Sequence, residues 1–180
     1  MALILRPAIV ADVPHFERWD ADPGVIAATS DDPDAETAFE DAEWADEIDS
    51  DDPASAYFVA EVDGRPIGAM QVIDPALERT QYWGEDCPAN LRAMDIWIGE
   101  AGDRNKGHGA AMMTLALNRA FVDPAVEAVV IDPLASNADA HRFYERLGFR
   151  FIERRDFDGD DCFVYRLDRA DWLAKSGARS

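Results

Sequence analysis

The sequence predicts one α/β domain of the α+β kind, a mixed and twisted sheet of about seven strands with helices on both faces. Three observations predict it. Short apolar runs with two-residue alternation recur along the chain. Two turn pairs, Asp63-Gly64 and Asp158-Gly159, join neighbouring runs as hairpins. Two helical segments separate other runs, and strands joined through a helix run parallel. At 180 residues the chain is expected to form a single domain over 1–180, with the tail from about residue 170 loosely ordered.

The elements follow in order. Residues 3–7 alternate and stop at Pro7, a first strand. Asp12 is placed to cap a short helix from Val13, with Pro14 in its first turn. Residues 32–52 put Phe39, Trp44 and Ile48 on one very acidic helix, with the Asp-Pro pairs at 22–23, 32–33 and 52–53 marking loops around it. Residues 55–74 read as a hairpin around Asp63-Gly64. A polar and aromatic loop leads to a strand over 93–99, then a glycine-rich elbow and a helix to about Val122. A strand covers 126–132, a helix capped by Ser136 or Asn137 ends at Gly148, and a last hairpin turns near Asp158-Gly159. No dinucleotide-binding fingerprint is present, because the elbow lies mid-chain and no acidic residue closes a following strand at that spacing.

Charge narrows the function. Seventeen Lys and Arg against 37 Asp and Glu give a net charge of −20, which disfavours nucleic acid and anionic membranes and favours a cationic substrate. Residues 12–63 carry 18 acidic residues and one basic, Arg18. A surface that serves only solubility is the competing explanation of that run. No apolar stretch is long enough to span a bilayer, and the N-terminus lacks a basic leader, so the expected location is the cytoplasm. Cys87 and Cys162 have no metal-ligand spacing, and His15, His108 and His141 lack the mutual spacing of a metal site or triad. No metal is expected.

The chemistry-bearing residues fall in two segments. Arg104, Asn105, Lys106, Gly107, His108, Gly109 and Ala110 form an elbow in front of a helix N-terminus. Such an end has unpaired N–H groups and a partial positive charge, so it holds phosphate where side chains leave room. An ordinary glycine turn fits the same residues. About 30 residues on, Ala140, Phe143, Tyr144 and Leu147 share a helix face. Phe143 and Leu147 belong to a core stripe, whereas a phenol at Tyr144 needs a partner or a cleft.

Together these motifs resemble the GNAT superfamily of N-acetyltransferases. That resemblance implies that the elbow holds the pyrophosphate of acetyl-CoA, that Asn137 hydrogen-bonds its pantetheine arm, and that Tyr144 is the general acid. It also implies that a backbone N–H near Ile98, where the strand splays, stabilises the oxyanion. The segment from Trp83 to Phe149 looks more narrowly like aminoglycoside 6′-N-acetyltransferases, through Tyr82-Trp83, residues 84–86, Ala93-Met94-Asp95, residues 123–126 and residues 131–137.

Amine acetylation needs a base, and Asp95 sits in an otherwise apolar strand. Alternation puts Asp95 on a face with Trp97 and Gly99, and the resemblance also points to Asp95 as the amine-binding base. Asp132 ends the neighbouring strand, Glu85 and Asp86 are expected to meet further amines, and Tyr82 and Trp83 to pack on a sugar or cationic face. The implied activity is acetyl transfer from acetyl-CoA to a primary amine of a small cationic acceptor, by a monomer or homodimer. Acylation of a hydroxylated ornithine or lysine and a non-catalytic acyl-CoA-binding module are the competing functions.

Overall fold

The computed structural model describes residues 2–40 and 42–177. Seven strands form one sheet in the order β1-β2-β3-β4-β5-β7-β6. They are β1 (Leu3–Pro7), β2 (Ser55–Val62), β3 (Arg65–Ile73), β4 (Leu91–Trp97), β5 (Ala128–Ile131), β6 (Arg150–Phe157) and β7 (Asp160–Asp168). Only β4 and β5 pair in parallel, joined through α4 (His108–Ala120). Every other pairing among the described residues is antiparallel, including β1 with β2, so the expectation that strands joined through a helix run parallel fails there, where three short helices return the chain to the neighbouring edge. Asp63 and Gly64 take φ of 50° and 79°, the doubly left-handed geometry that a two-residue hairpin turn requires. Asp158 and Gly159 repeat it at 53° and 106°.

Strand alternation sorts the core onto the two faces. Phe58, Ala60, Met70, Met94, Val129 and Ile131 join Met112, Met113 and Leu117 of α4 in one cluster. Tyr144 of α5 (Ala138–Leu147) and Trp172 of α6 (Arg169–Gly177) belong to the same cluster. On the opposite face, Val59, Ala69 and Trp97 meet Phe16, Trp19, Val25 and Trp44. These come from α1 (Val13–Asp20), α2 (Pro23–Thr29) and α3 (Trp44–Asp49). Further along that face Leu91, Ala93 and Val130 pack with Trp83, Phe157 and Cys162. Asp95 lies between Ala93 and Trp97 on β4, at the gap between the two apolar clusters.

Four expectations about the elements change. The acidic helix expected over 32–52 is helical only from Trp44 to Asp49. The Asp20 carboxylate captures the N–H groups of Ala38 and Phe39 at 3.0 and 2.9 Å and the Trp44 indole at 3.0 Å. That holds residues 38–39 in a turn. Asp22-Pro23, read as loop, starts α2: Asp22 accepts from Gly24 N and Val25 N at 2.9 and 3.1 Å, and Pro23 fills the first helical position. Asp12 precedes α1 but makes no side-chain cap, because its carboxylate turns to the Arg6 guanidinium at 2.7 and 2.8 Å. Of the tail from residue 170, expected to be loose, residues 170–177 lie in α6, anchored by Trp172 donating to Asn118 Oδ1 at 3.0 Å, and residues 178–180 lie outside the described residues. No helix of the described residues is long and apolar enough to cross a membrane.

Candidate active site

The site arises where the sheet opens. β4 and β5 pair at Leu91–Ala128, Arg92–Val129 and Ala93–Val130. β4 then runs on to Trp97 beside β3 alone. The backbone of residues 94–98 therefore has an unpaired edge, and a cleft of about 1070 Å3 passes through the opening. Ile98 lies on its wall, beyond the last β3–β4 pair. Because the sheet parts here, side chains from its two faces reach one space: Asp95 and Asp132 from one, Tyr144 from the other.

At one mouth of the cleft is the elbow. Asn105 and Gly107 take φ of 61° and 84°, two left-handed residues flanking Lys106. Alternation of this kind turns successive N–H groups inward as an anion-binding concavity. The first helical bond of α4 is Ala111 N to Gly107 O at 3.2 Å. The N–H groups of Gly107, His108, Gly109 and Ala110 thus have no backbone partner among the described residues. Gly107, Gly109, Ala110 and Asn105 line the cleft. These donors and the room left by two glycines fit a pyrophosphate.

The basic side chains of the elbow all have acidic partners within the protein. Arg104 donates through Nε to Ile98 O at 3.0 Å and through Nη2 to Gly99 O at 3.1 Å, and pairs with Asp22. It clamps the end of β4 to the start of α2 while bordering the cleft. Lys106 and His108 turn to Asp103, at 3.7 and 3.9 Å, and neither lines the cleft. Asp103 is already held by Arg65 at 2.7 and 3.0 Å, which keeps its carboxyl below the ordinary range. The elbow thus presents to the cleft its unpaired backbone N–H groups together with Arg104.

Asn137 is the N-cap of α5, its Oδ1 accepting from Ala140 N at 3.0 Å and its Nδ2 donating to Ala28 O of α2 at 3.3 Å. It borders the cleft, yet its amide is engaged within the protein. Tyr144 is 8% exposed and makes no hydrogen bond among the described residues, so its hydroxyl is available at the cleft. Burial, and then the charges of Asp95 and Asp132, raise its pKa and keep it protonated.

Asp95 keeps part of its surface open to the cleft but is ringed by protein. Burial first, then repulsion from Asp132 and Glu78, pushes its carboxyl up to about 7. Burial also raises Asp132, although Tyr82 donates to its Oδ2 at 2.6 Å. Tyr82 stacks on Phe157 at 4.5 Å and Trp83 is buried beside them, so the aromatic pair is a wall. Glu85 and Asp86, expected at the acceptor, are exposed and away from the cleft. Glu78, Gln71 and Phe39 line it unforeseen, since each stands alone in its stretch and only folding gathers them.

The family model described as Acetyltransferase (GNAT) domain matches residues 8–157, from just after β1 to the end of β6. The chain belongs to the GNAT acetyltransferase family. Among relatives of this GNAT chain, an aminoglycoside N(6′)-acetyltransferase type 1 of Klebsiella pneumoniae is 30% identical over 92 residues, 51% of this chain and 46% of the relative. The chain thus spans about half the length of the curated relatives it matches first. Its fold is shared with aminoglycoside acetyltransferase AAC(6′)-Ib in complex with coenzyme A and kanamycin, at a TM-score of 0.81 and 19% identity over 97% of this chain and 99% of the other. It is also shared with spermidine N-acetyltransferase from Vibrio cholerae in complex with coenzyme A and spermine, at a TM-score of 0.72 and 17% identity over 95% and 98%. Both likenesses describe the fold. Among the described residues of this GNAT chain no group of His, Cys, Asp and Glu is placed to hold a metal.

Proposed function

We propose that this protein is an acetyl-CoA-dependent N-acetyltransferase that acylates a primary amine of a small cationic, aminoglycoside-like acceptor. One observation carries the reading: the bare N–H rim of α4 and the Asp95–Asp132–Tyr144 group share one cleft, opened where β4 leaves β5. Family membership and the names of the relatives support it.

Acetyl-CoA would supply an activated acetyl thioester. The N–H groups of Gly107, Gly109 and Ala110 hold the diphosphate, and the free edge of β4 near Ile98 receives the pantetheine arm and the thioester carbonyl. Asp95 accepts a proton from the acceptor ammonium, since a carboxylate near neutral pKa is matched to that task at pH 7. As the amide C–N bond forms and the thioester C–S bond breaks, the Tyr144 hydroxyl donates its proton to the departing sulfur. The nitrogen loses two protons on going from ammonium to amide: Asp95 takes the first and passes it to solvent, and the second restores the Tyr144 phenol, whose own proton has gone to sulfur. Asp132, oriented by Tyr82, holds the acceptor's charge next to Asp95.

Free-thiol release with a panel of aminoglycosides, polyamines and hydroxylated ornithine tests this. Turnover is expected with aminoglycoside-like amines, abolished or strongly reduced in Asp95→Asn and Tyr144→Phe. Thiol release unaffected by both changes would remove the mechanism. Coenzyme binding without turnover on any amine would leave an acyl-CoA-binding module.

A further inference from the structure

Helix α2 lines the cleft on the side of Asp95, yet its two ends are held from the side of the elbow and α5. It carries one buried residue, Val25, which packs with Trp97 on the sheet face of Asp95. Gly24, Val25, Ala28 and Thr29 line the cleft. One apolar side chain does little to fix a seven-residue helix, since a helix that short does not persist alone in water. Polar contacts fix it instead. At its first turn Arg104 pairs with Asp22, the carboxylate that caps α2, while the same guanidinium holds the Ile98 and Gly99 carbonyls at 3.0 and 3.1 Å. Gly24 is bare where this happens: a Cβ there would stand 2.0 Å from Arg104 Nη1. At its last turn Asn137 of α5 donates to Ala28 O at 3.3 Å, and just beyond it Ser136 donates to Asp31 at 2.7 Å. Arg104 directly precedes Asn105, the first of the two left-handed residues that turn the N–H groups of the elbow into a cradle. One side chain therefore joins the cradle, the open end of β4 and the cap of α2.

We infer that Arg104 is a positioning residue that couples the two halves of the cleft: coenzyme seated on the elbow fixes Arg104, and Arg104 through Asp22 fixes α2, the wall that the acceptor meets. This rests on the acetyl-transfer reading above for which half takes which substrate. Ordering a segment costs conformational entropy, so the ligand that arrives second binds more tightly once the first has ordered it. Coenzyme and acceptor therefore bind with positive cooperativity, each raising the affinity for the other by the same factor.

The test is hydrogen–deuterium exchange of the full chain with and without coenzyme A, for the wild type, Asp22→Asn and Gly24→Ala. Asn caps a helix as well as Asp does, so Asp22→Asn keeps the cap and removes the charge from the clamp. Gly24→Ala favours the helix and sets a methyl where the guanidinium lies. In the wild type, coenzyme A is expected to slow exchange over the elbow (107–111) and, by about fivefold or more, over α2 (24–29). In both variants the elbow still responds and α2 does not. For Asp22→Asn, calorimetric affinity for coenzyme A alone is expected to stay within about threefold of wild type, while the KM of any amine that the wild type acetylates rises about tenfold at saturating acetyl-CoA. An α2 that responds to coenzyme A as strongly in both variants as in the wild type overturns the inference, whatever their melting temperatures, because the clamp is then merely structural. A wild type in which the elbow responds and α2 does not also overturns it, and leaves acetyl transfer standing. A wild type in which both respond but no amine is acetylated loses the proposed reaction and keeps the coupling.

Discussion

Asp95 is a carboxylate inside an apolar strand, and its position has opposite consequences for activity and for stability. In the proposed reaction Asp95 accepts a proton and must be ionised, so kcat/KM for the amine is expected to fall below an apparent pKa near 7. For stability, the folded carboxyl keeps its proton up to about pH 7, whereas an ordinary aspartate loses it near 3.8. Between those values the folded state binds more protons than the unfolded one, so stability falls as pH rises through the window. Asp95→Asn removes that loss: it should melt higher than wild type at pH 8, with the gain closing toward pH 4, while acetyl transfer drops about 100-fold or more. Differential scanning calorimetry at the two pH values and the thiol assay read both effects. Tyr144→Phe keeps the ring, so coenzyme affinity should hold while kcat falls roughly 10–100-fold, separable by calorimetry and steady-state kinetics.

At the scale of elements, the elbow between β4 and α4 is held from behind. The Trp19 ring stands where a Cβ on Gly99 would lie, 1.9–2.4 Å away, and Trp19 is 1% exposed. Gly99→Ala is therefore expected to destabilise by about 1–3 kcal/mol in urea unfolding. At Gly107 space is open but φ is +84°, so alanine meets backbone strain of about 1–2 kcal/mol at the residue that turns the cradle. Gly107→Ala should weaken coenzyme A binding in calorimetry clearly more than Lys106→Ala, whose ammonium faces Asp103 and not the cleft. Much of this element was legible in the sequence. Glycines before an apolar helix state a bare N-terminus, whereas the destination of Arg104 depends on the Ile98 and Gly99 carbonyls and on Asp22, which only folding brings near.

For the whole molecule, the proposed reaction sets a net charge of −20 against two substrates of opposite sign. A cationic acceptor is drawn in and an anionic coenzyme is repelled, and both effects weaken as the Debye length shrinks to about 3 Å at 1 M salt. Raising ionic strength should therefore raise the acceptor KM and lower the acetyl-CoA KM, and initial-rate kinetics across a salt series would show whether the two move in opposite directions.

The sequence by itself determined the strands, both hairpin turns and the parallel crossover through α4, and it singled out Asp95, Asp132 and Tyr144 as candidates, because periodicity, turn chemistry and an acid within an apolar run are local signals. It misplaced the acidic N-terminal third. Asp20 captures the backbone of Ala38 and Phe39 from 18 and 19 residues away, and helix propensity contains no term for such a contact. Only the tertiary structure decided which polar groups share a space. The parting of β4 from β5 after Ala93 lets two faces of one sheet meet in a cleft, brings in Glu78 and leaves Glu85 and Asp86 outside. The physical reason is that strand pairing is a relation between segments distant in the chain, and where it stops is set by both.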